Sequence, residues 1–121
     1  MWNIKSETVE NILLACKNTY PDEFSALLGG DTKKKIIEEI VVVPTIYGDR
    51  HAIMRADLIP YDSKIIGTIH SHPTEFTIPS SADLNAFSKL GEIHLIVAYP
   101  YNFYSISAYD AKGKNIEFKI F

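Results

Sequence analysis

The chain has 121 residues, 46% hydrophobic and 22% charged, with a formal net charge of −3, which allows one domain around one core and leaves no room for a second. Dispersed basic residues and the lack of any apolar run near the roughly 18 residues of a membrane span argue against nucleic acid and membranes as partners. A single cysteine, Cys16, excludes an internal disulfide and a zinc site of several thiolates, and an N-terminal stretch interrupted by charge resembles no signal peptide, so a cytoplasmic protein is expected.

Val9, Ile12, Leu13, Cys16 and Tyr20 keep the period of one helical face, predicting a helix that stops before Pro21. Ser6 or Thr8 is its candidate cap, and Cys16 on the apolar stripe reads as a buried core thiol. "EFSALLGG" reads as a strand closed by a glycine turn, with Lys33, Lys34 and Lys35 in the solvated turn that follows. "IIEEIVVVPTI" is a strand halted near Pro44, and "HAIMRADLI" a weaker one running into a turn at "PYDS". "KIIGTIHSH" is a strand, and "SADLNAFSKLG" a short helix with Gly91 just past its end. "IHLIVAY", "YSISAYD" and "NIEFKIF" complete the chain as strands, the last two joined through "AKGK" as a hairpin. Strands with helices near the start and middle predict an α/β domain, one mixed sheet with helices packed on it.

The chemistry concentrates in "HSHPTEFTIPSSAD", residues 70–83. Side chains alternate along a strand, so Thr68, His70 and His72 share one face while Ile69 and Ser71 take the other. Two imidazoles side by side can share an ion, and they can equally be two polar residues facing solvent. Ser80 and Asp83 have the spacing of a capping box at a helix start. An acid in that first turn is also held rigidly enough to ligate a metal. Two imidazoles and one carboxylate make a three-ligand set suited to zinc, with a fourth position left for water. Hydrolysis then needs a general base outside the set, and the residues alone leave Glu23, Asp22, Glu75 and Asp57 in competition. His51 and His94 have no acidic or histidine neighbour at ligand spacing; the first reads as exposed, the second as a structural strand residue.

Other H-x-H enzymes fail on what is missing. The H-x-H-x-D-H run of a metallo-β-lactamase stops here at Pro73, a barrel needs about 250 residues, and no H-E-x-x-H is present.

The stretch fits H-x-H-P-x6-S-x2-D, and in this it resembles the signature of the JAMM (MPN+) metalloprotease family. That family also carries a glutamate on an early strand, and "PDEFSALLGG" resembles this segment with Glu23 at the matching position. The likeness runs over nearly the whole chain and is greatest to compact archaeal and bacterial members of the desampylase type. It implies a single MPN/JAMM domain over residues 1–121, a curved mixed sheet flanked by helices of the cytidine deaminase-like class. It further implies one Zn2+ held by His70, His72 and Asp83, with Glu23 as general base and Ser80 donating to the oxyanion. The implied substrates are conjugates of ubiquitin-like proteins, or sulfur carrier proteins, cut after a C-terminal Gly-Gly. The alternative within the same family is a non-catalytic MPN scaffold module, which usually lacks part of the metal set.

Overall fold

The computed structural model describes residues 1–42, 45–47, 52–54 and 64–121. In chain order they form β1 (Trp2–Ile4), α1 (Ser6–Thr19), β2 (Ser25–Asp31), β3 (Ile36–Val41), β4 (Thr45–Tyr47) and β5 (Ala52–Met54). After these come β6 (Ile65–His72), α2 (Ser81–Phe87), β7 (Ile93–Ala98), a 3-10 turn (Phe103–Ser105), β8 (Ile106–Tyr109), β9 (Asn115–Ile116) and β10 (Phe118–Ile120). Eight strands form one sheet in the order β10-β1-β3-β2-β6-β7-β8-β9, while β4 and β5 pair separately. Its β1–β10, β1–β3 and β6–β7 pairs are parallel and the others antiparallel. The expected α/β class and mixed curved sheet hold.

Curvature follows from connectivity. Only Glu117 separates β9 from β10, yet these strands lie at opposite ends of the sheet order. Two residues of extended chain reach about 7 Å. The two margins of the sheet must therefore meet, and the sheet rolls into a near-barrel.

The two faces have different jobs. α1 lays Val9, Ile12, Leu13 and Cys16 against Ala26, Leu28, Ile69, Leu95, Val97 and Ala108 in the main core. The alternate residues of the same strands point to the other face, where Phe87 of α2 packs on Ile96 and Tyr109 in a smaller cluster. The register aligns Ser25, His70, Ile96 and Ser107 across four strands of that second face.

Several expectations need correction. The Gly29-Gly30 pair does not close β2 but lies inside it at a bulge against β3. A Cβ on Gly30 would sit 2.1 Å from the carbonyl oxygen of Ile36, so the close strand approach demands glycine there. The turn falls later, at Thr32–Lys35, where the lysines are placed as predicted. "NIEFKIF" divides: β9 returns along β8, and beyond Glu117 the chain crosses to pair β10 with β1. The hairpin survives, closed by Asp110 Oδ1 accepting from the N–H groups of Lys112 and Lys114.

Neither Ser6 nor Thr8 caps α1. The helix already starts at Ser6, whose N–H donates to the carbonyl of Phe121, and Thr8 Oγ1 donates to the carbonyl of Glu38. Lys5 holds the N-cap position without a side-chain bond, and of the free amides of the first turn that of Ser6 is satisfied by the C-terminal carbonyl. Tyr20 is 46% exposed and lies against Tyr99 beyond the helix end, the two rings tilted by 33°. α2 ends at Phe87, because the N–H groups of Lys89 and Leu90 converge on the carbonyl of Ala86 in a tight turn. Gly91 then adopts φ +120°, with Ile66 O 2.3 Å from where a Cβ would stand. Of the "HAIMRADLI" segment only Ala52–Met54 is a described strand; His51, Asp57, Pro44 and "PYDS" lie outside the described residues.

Candidate metal centre

β6 delivers His70 and His72 to the face covered by α2, as alternation predicts, with ring centroids 5.1 Å apart. α2 brings Asp83 to meet them. His70 Nε2 lies 2.9 Å from Asp83 Oδ1, and His72 Nε2 lies 3.4 Å from Asp83 Oδ2. One ligand atom from each of the three residues falls within 4.8 Å of the other two.

Local structure fixes each ligand. Asp83 is the third residue of α2, and its carboxylate accepts from the N–H of Ser80 at 2.7 Å while Ser80 Oγ accepts from the N–H of Asp83 at 3.1 Å. The predicted capping box is therefore present, and it aims the carboxylate at the sheet. The carbonyl of Phe76 lies 2.9 Å from His72 Nδ1. A carbonyl can only accept, so Nδ1 carries a proton and Nε2 is the ring nitrogen turned toward Asp83. Sequence reasoning missed this contact, since a main-chain carbonyl leaves no signature in residue type.

His70 Nε2 tests whether the set suits a metal. It is buried and, among the described residues, makes no hydrogen bond, with Asp83 Oδ1 2.9 Å away as an ion-pair contact. A buried polar atom left in this way is costly. A cation between the two imidazoles and the carboxylate would satisfy it, and the donors (two nitrogens and a carboxylate oxygen) are those zinc accepts. The residues fit the ion.

Electrostatics agree. Burial pushes the Asp83 carboxyl up, but the facing His70 and His72 imidazoles and the Ser80 N–H outweigh it and hold Asp83 well below the usual carboxylate range. His72 is raised, chiefly by Asp83, against the opposing effect of burial, and the charge of Glu23 adds to the rise.

Glu23 lies in the segment just before β2 and is half-buried. The antiparallel register pairs Ser25 with His70 and Ala26 with Ile69. Beyond the ladder, Ser71 N–H donates to the carbonyl of Phe24 at 2.9 Å and Phe24 N–H donates to Ser71 Oγ at 2.8 Å. Continued by one more residue, this register would put Glu23 across from His72, and the charge of Glu23 does act on His72. Asp22 and Glu75 are exposed. The five predicted residues thus divide: His70, His72 and Asp83 are in mutual contact, Ser80 is hydrogen-bonded to Asp83, and Glu23, just outside β2, is linked to them by the effect of its charge on His72. His94 is structural as expected, fully buried between Thr68 Oγ1 at 2.7 Å and the Gly91 carbonyl at 3.0 Å, with Phe87 stacked on its ring at 4.3 Å.

Comparison with known proteins gives a coherent set of likenesses. The family model described as prokaryotic homologs of the JAB domain matches residues 5–112. A protein of Haloferax volcanii named "Probable metalloprotease" is 31% identical over 120 residues, covering 92% of this chain and 74% of that protein. The structure described as "JAMM: A Metalloprotease-like Zinc Site in the Proteasome and Signalosome" superposes with a TM-score of 0.78 at 32% identity, covering 100% of this chain and 98% of the other. A JAB1/MPN domain protein from Archaeoglobus fulgidus gives 0.78 at 31% identity, with 100% and 97% covered.

Proposed function

The chain belongs to the prokaryotic JAB-domain family and is a JAMM-type zinc metalloprotease, and from that premise we infer that it hydrolyses the bond after the C-terminal Gly-Gly of a ubiquitin-like modifier or sulfur carrier protein. The observation that carries this reading is His70 Nε2, buried, making no hydrogen bond among the described residues, and facing the Asp83 carboxylate beside His72. His70, His72 and Asp83 would hold one Zn2+. Bound there, zinc supplies a Lewis acid and brings the pKa of water from 15.7 toward about 7.

The remaining roles fall to the chain's own groups. Glu23, across from His72, takes the proton of the attacking water and returns it to the departing lysine amine. Ser80 Oγ uses a lone pair to accept from the N–H of Asp83, so its hydroxyl proton is left to donate to the oxygen that becomes negative. Two glycines at the substrate terminus let a main chain approach the metal centre with no side chain of its own in the way. An extended tail of this kind binds by main-chain hydrogen bonds to a strand. The intact His–His–Asp set stands against the scaffold alternative. Among the described residues no helix is long and apolar enough to cross a membrane.

Linear fusions and lysine conjugates of ubiquitin-like proteins, incubated with and without a zinc chelator, test the reading. Release after Gly-Gly that stops with the chelator and returns with zinc is expected. No cleavage of any such substrate by the zinc-loaded protein would overturn the substrate assignment.

A further inference from the structure

The segment 73–80 between β6 and α2 serves the site at both ends. Its Phe76 carbonyl meets His72 Nδ1, and its last residue, Ser80, caps the helix that carries Asp83. Burial does not hold this segment in place, for Phe76 and Ile78 are 69% and 76% exposed. One anchor is the N–H of Tyr99, which donates to the Thr74 carbonyl at 2.9 Å, and the one nearest Phe76 is on β8. Tyr109 Oη donates to the Thr77 carbonyl at 2.7 Å, and Ser107 Oγ donates to Thr77 Oγ1 at 3.1 Å. Two residues apart on one strand, Ser107 and Tyr109 face the same way. A buried tyrosine hydroxyl requires a partner, and this one takes the main chain next to Phe76. The Tyr109 ring also stacks near Phe87, with centroids 6.1 Å apart, and Phe87 is the buried residue of α2. One side chain therefore touches both the loop that orients His72 and the helix that presents Asp83.

We propose that Tyr109, assisted by Ser107, is a positioning residue of the metal site: by pinning Thr77 it holds the Phe76 carbonyl where it keeps His72 Nε2 directed at the ion. The proposal rests on the zinc reading above. A ligating imidazole is fixed in tautomer and orientation by the group its other nitrogen bonds, and loss of such a partner weakens metal binding. Without the clip the exposed loop must be ordered when the metal binds, and that entropy is subtracted from affinity. The ring stack on Phe87 does not involve the hydroxyl, so Tyr109→Phe removes one function and keeps the other.

Zinc dissociation constants are measured by competition with a chromophoric chelator, and melting midpoints are recorded for metal-free and zinc-loaded protein. Wild type, Tyr109→Phe and Ser107→Ala are compared. The expected result is zinc binding about tenfold weaker in Tyr109→Phe, a smaller loss in Ser107→Ala, and a narrower gap between metal-free and loaded midpoints. Cobalt-substituted Tyr109→Phe should show an altered absorption spectrum. Unchanged affinity in both variants, with both midpoints lowered together, would leave Tyr109 a purely structural residue and overturn the proposal alone. A wild-type protein that binds no stoichiometric zinc would overturn the metalloprotease reading and this proposal with it.

Discussion

Ser80 and Asp83 exchange two main-chain to side-chain hydrogen bonds across one turn, at 2.7 and 3.1 Å, and the same geometry leaves Asp83 Oδ1 2.9 Å from His70. Capping and ligation are one arrangement here. Ser80→Ala should cost about 1 kcal/mol of stability, a few degrees in melting midpoint. The loss of the proposed oxyanion donor should reduce kcat further, by about 10²-fold or more. A lowered midpoint with undiminished kcat would confine Ser80 to the cap.

His72→Ala and Asp83→Ala each remove one of three donors and should purify with little zinc, while circular dichroism stays native. Metal analysis of the purified variants checks this. Stoichiometric zinc in either would take that residue out of the ligand set.

Glu23 contributes no donor to the proposed metal set. Glu23→Gln should keep zinc and lose about 10²- to 10⁴-fold in kcat, whereas Glu75→Gln, altering an exposed side chain, should stay near wild type. The opposite pattern would transfer the base role to Glu75.

The metal-free protein should carry a pH signature of the His72–Asp83 pair. The Asp83 carboxyl is depressed on folding, so its contribution is present above its unfolded value of about 3.9 and fades as pH falls toward the folded one. His72 is raised, so its contribution is present below its unfolded value of about 6.5 and fades as pH climbs through the folded one. Urea midpoints of metal-free protein should peak between those limits, and Asp83→Asn should flatten the profile. An identical profile in the variant would refute the coupling.

Burial pushes the Cys16 thiol up to about 12. Native protein at pH 8 should therefore resist iodoacetamide and react only after unfolding. Rapid labelling of the folded chain would contradict the burial of α1.

The parts legible in the sequence were those carried by local periodicity. Alternation on β6 put His70 and His72 together, and the spacing of Ser80 and Asp83 announced the cap. Tertiary pairing hid the rest. β1 is three residues long and acquires its strand character from β3 and β10. The division of residues 115–121 depends on closure of the barrel, which no window of seven residues encodes. Local pattern alone left Glu23 level with Asp22, Glu75 and Asp57, and only the family resemblance singled it out, while Tyr109 finds Thr77 across 32 positions. The Gly29-Gly30 pair misled because glycine serves close strand approach as readily as it serves a turn.

The seam around Glu117 bears on how the chain must be handled. β10 is the outer neighbour of β1, and Phe121 supplies the carbonyl for the first amide of α1. Trimming residues 118–121 would strip β10 away and bare the backbone of β1 to solvent. Naked margins of that kind recruit strands from other molecules, so a shortened tail should turn a clear solution into one that polymerises.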